Sequence, residues 1–321
     1  MSPSVVSLAE IEDAARRIAP FVRRTPLLTA RDLVPGCELL LKCENLQVTG
    51  AFKARGAHNA TFRLDADQAA RGVATHSSGN HGAALALAAR NRGVPAHVVM
   101  PSNAPDVKKD AVAAYGAEIT FCEPTLAART ETLERVVALR GSHVVHPYED
   151  LDVIRGQGTV GVEILDQAGA TPDVVIAPVG GGGLLGGIGV AVKSRSPGCV
   201  VIGAEPAGAD DAFRSFRSGV LIPQESPDTI ADGLLTSLGR PNFALIEDRV
   251  DDIVTVDDDA ILAATRQLIE RAKLVVEPSG AVAFAAVSAD PDRFAGRRVA
   301  VVLSGGNVDL RRLPWLAAGP G

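Results

Sequence analysis

A chain of 321 residues, 46% hydrophobic and 22% charged, has the composition of a globular protein and can bury the core of two domains or one large α/β unit. Its net charge of −6 at pH 7 argues against nucleic acid or an anionic membrane as the main partner. Four scattered cysteines, Cys37, Cys43, Cys122 and Cys199, form no CxxC pair, which fits reduced thiols in a cytosol better than a disulfide framework or a zinc site.

The N-terminal segment MSPSVVSLAEIEDAARR lacks a basic stretch followed by an apolar run, so no secretory signal is expected. Ser7 followed by Glu10 predicts a capping box, and Ile11, Ala14, Ala15 and Ile18 continue it as an apolar helical stripe ended by Pro20. A strand is expected over 38–44, then a turn at Thr49-Gly50, then a helix carrying Phe52, Lys53, Gly56 and Ala57.

From Gly72 the pattern alternates. Strands are expected over 73–78, 96–100, 118–122 and 143–146, with helices over 81–93, 107–116 and 128–141 between them. Further strands over 174–179 and 200–205 flank one helix, and another over 299–304 lies near the end. Such alternation means parallel sheets with helical crossovers, hence an α/β fold. It divides into a small unit over about 70–147 and a larger one built from both ends of the chain. Nothing between Asp173 and Lys193 is charged, yet Pro178 and Gly180–Gly183 interrupt the stretch. It reads as strand, loop and helix, not as a membrane span. The chain stops at Gly321 shortly after the last strand, and no C-terminal regulatory domain is expected.

Four segments carry chemistry. The run Gly180, Gly181, Gly182 and Gly183 between strand and helix lets backbone approach a ligand, and the helix N-terminus behind it favours a phosphate. Gly181, Gly183 and Gly186 also satisfy GxGxxG, and Glu205 stands near the place of a ribose-binding acid, so a dinucleotide site stays open on this segment alone. Lys53 sits in TGAFKARGA among small apolar residues, where burial would lower its pKa and supply a neutral amine; a lysine snorkelling to water is the bland alternative. Ser77, Ser78, Gly79 and Asn80 open a helix after a strand, a place suited to a carboxylate or simply to a helix cap. Ser304 ends the last strand in LSGGN, where its hydroxyl could meet a ligand. Glu205, Asp210 and Asp211 make an oxygen-rich loop that could hold Mg2+, Mn2+ or Ca2+, or merely be solvated. His81 and His146 have no partners at catalytic spacing, and Asp257-Asp258-Asp259 reads as a helix cap.

Taken in order, TGAFKARGA, SSGNHG, the tetraglycine loop and LSGGN resemble the fold-type II pyridoxal-phosphate (PLP) enzymes of the serine racemase and serine/threonine dehydratase branch, over about residues 24–310. The resemblance implies a tryptophan synthase β-like α/β fold, two open parallel-sheet domains with the cofactor in the cleft between them. Residues 1–69 and 148–321 would form the large PLP-binding domain, and 70–147 a small domain closing on substrate. Lys53 would hold PLP as a Schiff base and take the α-proton, with Phe52 against the ring, Asn80 on the ring hydroxyl, Gly180–Gly183 on the phosphate, Ser304 on the pyridine nitrogen and Glu277 near the ring. Ser77, Ser78, Asn80, His81 and Arg129 would line the substrate pocket, and Ser78 resembles the opposite-face acid/base of racemases. Glu205 and Asp211, with the Ala209 carbonyl, would bind Mg2+ or a similar cation. Val48 replaces the lysine of nucleotide-activated racemases, while HPYED (146–150) is closer to dehydratases and fungal racemases. The implied activity is elimination of water from L-serine or L-threonine, with serine racemisation or 3-hydroxyaspartate dehydration as alternatives, in a cytoplasmic homodimer. A nicotinamide-dependent oxidoreductase leaves Lys53, SSGNHG and LSGGN unexplained.

Overall fold

The computed structural model describes residues 6–317 except Ser78 and Pro105. Ten strands are present among them: β1 Leu27–Thr29, β2 Glu38–Cys43, β3 Val73–His76, β4 Ala96–Pro101, β5 Glu118–Cys122, β6 His143–Val144, β7 Val174–Pro178, β8 Val200–Pro206, β9 Asp252–Val256 and β10 Arg298–Leu303. The helices are α1 Leu8–Ile18, α2 Lys53–Arg63, α3 Ala66–Ala70, α4 Asn80–Arg92, α5 Asp106–Ala114, α6 Leu126–Arg140, α7 Leu151–Gln167, α8 Gly183–Arg195, α9 Asp211–Ser218, α10 Arg240–Arg249, α11 Asp258–Gln267, α12 Pro278–Ala289 and α13 Pro314–Ala317.

The capping box of α1 forms as its sequence requires. The Ser7 hydroxyl accepts from the Glu10 amide, and the Glu10 carboxylate accepts from the Ser7 amide at 2.9 Å. Asp257 likewise caps α11 by accepting from the Ala260 amide at 2.8 Å. Strand β3 is assigned from Val73 to His76; the Ser77 amide still donates to the Val99 carbonyl of β4 at 3.0 Å, and Ser78, the last residue of the expected strand, lies outside the described residues. Two strands escaped the alternation pattern. Strand β1 is only three residues long and antiparallel, and β9 is an edge strand in which only Ile253 and Val256 are buried.

Two sheets result, ordered β1-β2-β10-β7-β8-β9 and β5-β4-β3-β6. Apart from the β1–β2 pair, every strand pairing is parallel. The larger sheet draws on both ends of the chain, since β10 runs between β2 and β7 with Leu303 opposite Cys43 and Val301 opposite Ile176. Its interior strands are nearly continuous apolar runs because helices cover both faces. Phe284, Ile261 and Leu268 pack on one face and Val160, Leu185 and Ile188 on the other. Helix α12 is buried from Ser279 to Val287, which explains a sequence apolar all round its circumference.

Helix α2 lies against α7 where Gly56 meets Gly156; a Cβ on Gly156 would come within 2.6 Å of the Gly56 Cα. That contact brings the Lys53 end of α2 to the large sheet. Because the strands are parallel, the loops after β2, β3, β7 and β10 leave from their carboxyl ends, where parallel sheets form ligand sites.

Candidate active site

Those loops enclose a cavity of about 540 Å³. Its wall includes Phe52, Lys53, Ser77, Asn80, His81, Arg129, Gly180, Gly181, Gly182, Gly183, Glu277 and Ser304. All the residues expected to meet cofactor or substrate thus converge on one place, except Ser78, which lies outside the described residues.

Lys53 is the first residue of α2. Its Nζ donates to the Pro147 carbonyl at 2.8 Å and stands 5.1 Å from the centre of the Phe52 ring. No carboxylate pairs with it among the described residues, and burial pushes its pKa down to about 8. Near neutrality it gives up a proton far more readily than an ordinary lysine, which is what a nucleophilic amine or general base needs.

The glycine loop links β7 to α8. Gly182 is left-handed at φ 87, and a Cβ on Gly181 would fall 2.2 Å from the Tyr148 ring. The loop is therefore closed to side chains, so its amides and the α8 N-terminus face a ligand directly. Asn242 sets the loop's course, donating from Nδ2 to the carbonyls of Gly181 at 2.5 Å and Tyr148 at 2.9 Å. Thr236 donates to the Tyr148 hydroxyl at 2.9 Å. Tyr148, Thr236 and His76 line the cavity although sequence reasoning did not single them out; the HPYED motif was the available signal for Tyr148.

Glu277 is 2% exposed, and burial raises its pKa to about 7. Its Oε1 accepts from Asn80 at 2.6 Å, and Oε2 has no partner. Ser304 closes β10 at the centre of the large sheet, with its hydroxyl 3.4 Å from the Ser279 carbonyl. His81, unremarkable from spacing alone, joins the wall. Its Nε2 lies 3.1 Å from the Val145 carbonyl while Nδ1 is buried without a partner. Burial, then the Lys53 charge, lowers its pKa to about 3. His76 and His146, their rings 5.9 Å apart, are both lowered to about 4, chiefly by burial. The three histidines are thus neutral near pH 7, with His81 and His146 close enough to feel the Lys53 charge, and Arg129 adds a cation at the wall with no ion pair among the described residues.

Glu205, Ala209 and Asp211 lie apart from this wall, and all three are buried. Glu205 accepts from the Ala212 and Phe213 amides at 3.1 and 2.7 Å, capping α9. Both its oxygens are engaged and its side chain is covered, so the ribose-binding alternative finds no free acid there. Asp211 accepts from the Leu238 amide through Oδ2 at 2.7 Å, leaving Oδ1 buried and unpaired. Burial raises Glu205 to about 9 and Asp211 to about 6. No group of three or more His, Cys, Asp or Glu side chains gathers for a metal among the described residues.

A doubly covered parallel sheet, a glycine cradle at a helix N-terminus and a desolvated lysine in the same cavity define an enzyme that works through a phosphorylated carbonyl cofactor. The chain belongs to the pyridoxal-phosphate dependent enzyme family, whose sequence profile matches residues 18–305. It is 48% identical over 304 residues to a β-hydroxyaspartate dehydratase of Paracoccus denitrificans, covering 94% of this chain and 96% of the relative. Maize serine racemase superposes with a TM-score of 0.94 at 42% identity, covering 97% of this chain and 96% of that one. A threonine deaminase from T.th. gives 0.91 at 46% identity, covering 95% and 99%. The fold is that of the fold-type II PLP enzymes, and the protein stands among their ammonia-lyases and racemases.

Proposed function

We propose that the protein eliminates water from a small β-hydroxy-α-amino acid, L-serine or L-threonine, with a 2-oxo acid and ammonia as net products. The observation that carries this is Lys53, desolvated to a pKa of about 8 and without a carboxylate partner, facing the same cavity as the glycine cradle. The cradle leaves no room for a Cβ at Gly181 or Gly182, which supports a phosphate held there by backbone amides. Gly180–Gly183 would hold that group, Ser304 the pyridine nitrogen, Asn80 the ring hydroxyl, and Phe52 and Glu277 would border the ring. When bound, PLP supplies an electron sink for charge developed at the substrate α-carbon. Lys53 would anchor the cofactor, and its Nζ would take the α-proton. Ser77, Ser78, Asn80 and His81 bind the substrate carboxylate, and the neutral His81 adds no charge to compete with it.

Residues 1–69 with 148–321 act as the cofactor-holding part, and 70–147 as the part that closes on substrate. Lys108 on α5 pairs with Asp232 in the loop before α10, a contact between the two parts at the cavity wall. Glu205, Asp211 and the Ala209 carbonyl would take Mg2+ or another hard cation. Two buried carboxylates whose pKa values burial raises, with the Asp211 Oδ1 unpaired, support an oxygen-ligated hard cation there. Such a cation would steady Leu238, which packs beside Gly182. A homodimer in the cytoplasm completes the proposal; no helix among the described residues is long and apolar enough to cross a membrane.

Arg129 favours a second reading, 3-hydroxyaspartate, because a guanidinium at the cavity wall with no ion pair among the described residues suits a side-chain carboxylate. The test is one set of incubations of holoenzyme with L-serine, L-threonine or 3-hydroxyaspartate, measuring 2-oxo acid, ammonia and D-serine. Pyruvate or 2-oxobutyrate from the neutral substrates supports the first reading, and oxaloacetate alone supports the second. D-serine in excess of pyruvate identifies racemisation as the main activity, with Ser78 as its second acid/base. A protein lacking any borohydride-sensitive visible band refutes all three.

A further inference from the structure

We propose that Asn307 is a positioning residue that fixes the side-chain amide of Asn80, so that Asn80 presents an N–H, never its oxygen, to the cavity. The loop after β10 is laced to the turn that leads into Lys53. The Phe52 amide donates to the Ser304 carbonyl at 3.0 Å, the Gly306 amide donates to the Gly50 carbonyl at 2.9 Å, and Ala51 bridges Gly305. Asn307 ends this lacing. Its Nδ2 donates to the Thr49 carbonyl at 2.7 Å and to the Asn80 Oδ1 at 2.8 Å. Gly50 leaves the room, since a Cβ there would lie 2.3 Å from the Asn307 Oδ1.

The sense of this chain of bonds follows from which groups can donate. A backbone carbonyl only accepts, so Thr49 forces the NH2 of Asn307 towards itself. The second hydrogen of that NH2 then requires an acceptor, so Asn80 must turn Oδ1 to Asn307. The Asn80 Nδ2 is left with two hydrogens. One goes to the Glu277 Oε1 at 2.6 Å; the other is left for a ligand, on a side chain that lines the cavity. The far end agrees with the near end, because Glu277 offers an acceptor there whether its Oε2 carries a proton or not. Reversing Asn80 would set its oxygen against Glu277 and its NH2 against the NH2 of Asn307. Thr49 is one of only two non-glycine residues with positive φ among those described, at φ 62. The carbonyl that starts the chain is thus held by a backbone turn, not by a rotatable side chain.

This rests on the cavity being the PLP site with Asn80 at the ring hydroxyl. A fixed donor there stabilises the ionised oxygen and so sets the pH at which the visible band of the lysine-bound cofactor titrates. The experiment is a spectrophotometric pH titration of wild-type holoenzyme, Asn307→Asp, Asn307→Ala, and each combined with Asn80→Ala, with circular dichroism confirming the fold. Asn307→Asp cannot donate and frees Asn80 to turn, so the midpoint should move by about one pH unit. Asn307→Ala should move it in the same direction and serves if the aspartate variant does not fold. In the Asn80→Ala background neither change should add a further shift. Unmoved midpoints in the folded single variants, or full shifts persisting without the Asn80 amide, overturn the proposal. Absence of a borohydride-sensitive band in the wild type would instead remove the cofactor assignment on which it stands.

Discussion

Two cations two residues apart on α2 are buried to very different ends. Arg55 is fully covered and bonds to the Glu44 Oε2 and Glu163 Oε1, both at 2.7 Å, while the neighbouring Lys42 reaches Glu163 at 2.6 Å. Two carboxylates answer two cations. Burial opposes the charge on Arg55, yet Glu44 and Glu163 hold its pKa above the usual value. Lys53 has only the Pro147 carbonyl, and burial lowers it unopposed. Arg55, sealed from solvent, is therefore an anchor where charges cancel, and Lys53, part-buried at the cavity wall, a reactive amine where they do not. The site is marked by missing compensation more than by burial itself.

The comparison breaks most visibly at Lys53. Lys53→Ala should abolish the visible cofactor band and lower turnover by at least about 10³-fold. Urea unfolding of its apoprotein should show no loss of stability, since an unpaired buried charge has gone. Arg55→Ala should behave in the opposite way. Leaving Glu44 buried and unanswered costs about 3–5 kcal/mol of unfolding free energy. A cost below about 1 kcal/mol would mean that the network does not anchor α2. Gly181→Ala tests the cradle, because the added methyl meets the Tyr148 ring. PLP affinity, measured by dialysis, should fall at least about tenfold through the displaced loop.

The effects of pH sharpen the contrast by sign. Lys53 titrates near 8 when folded against 10.5 in the unfolded reference. Across that window the unfolded chain binds more protons, so its contribution to apoprotein stability rises with pH. Glu277 titrates near 7 against a reference of 4.5, so the folded state binds more protons between them and stability falls as pH rises. Subtracting the stability profiles of Lys53→Met and Glu277→Gln from the wild type should isolate these opposite slopes. Arg55 should contribute no slope anywhere in the range.

Much of the site was legible because its parts are short motifs immediately after strands, where a parallel sheet delivers them to one edge. Lys53, Asn80, Gly180–Gly183 and Ser304 could thus be placed together from the alternation and the resemblance. What stayed hidden depends on packing across distant segments. Tyr148 and Asn242 grip the glycine loop from different elements, and Asn307 reaches Asn80 over 227 positions of chain. Strand β9, DIVTV, was missed because an edge strand need not be apolar on both faces. The pairing that neutralises Arg55 was equally invisible, since Glu163 lies on a helix 108 residues away. The motif marks Lys53, while nothing in the local sequence marks Arg55 as an anchor.

The position of β10 bears on how the protein is made. Synthesis runs from the N-terminus, so β2 and β7 leave the ribosome long before the strand that joins them. Until residues 298–303 emerge, the Leu39–Leu41 run of β2 and the whole of β7 expose unpaired edges that other chains can join. Translation halted before Arg298 removes the middle of the sheet and Ser304 together, yielding a sticky chain with no finished cleft. Nascent chains should therefore lean on chaperones until β10 has emerged, and PLP should find its pocket only afterwards.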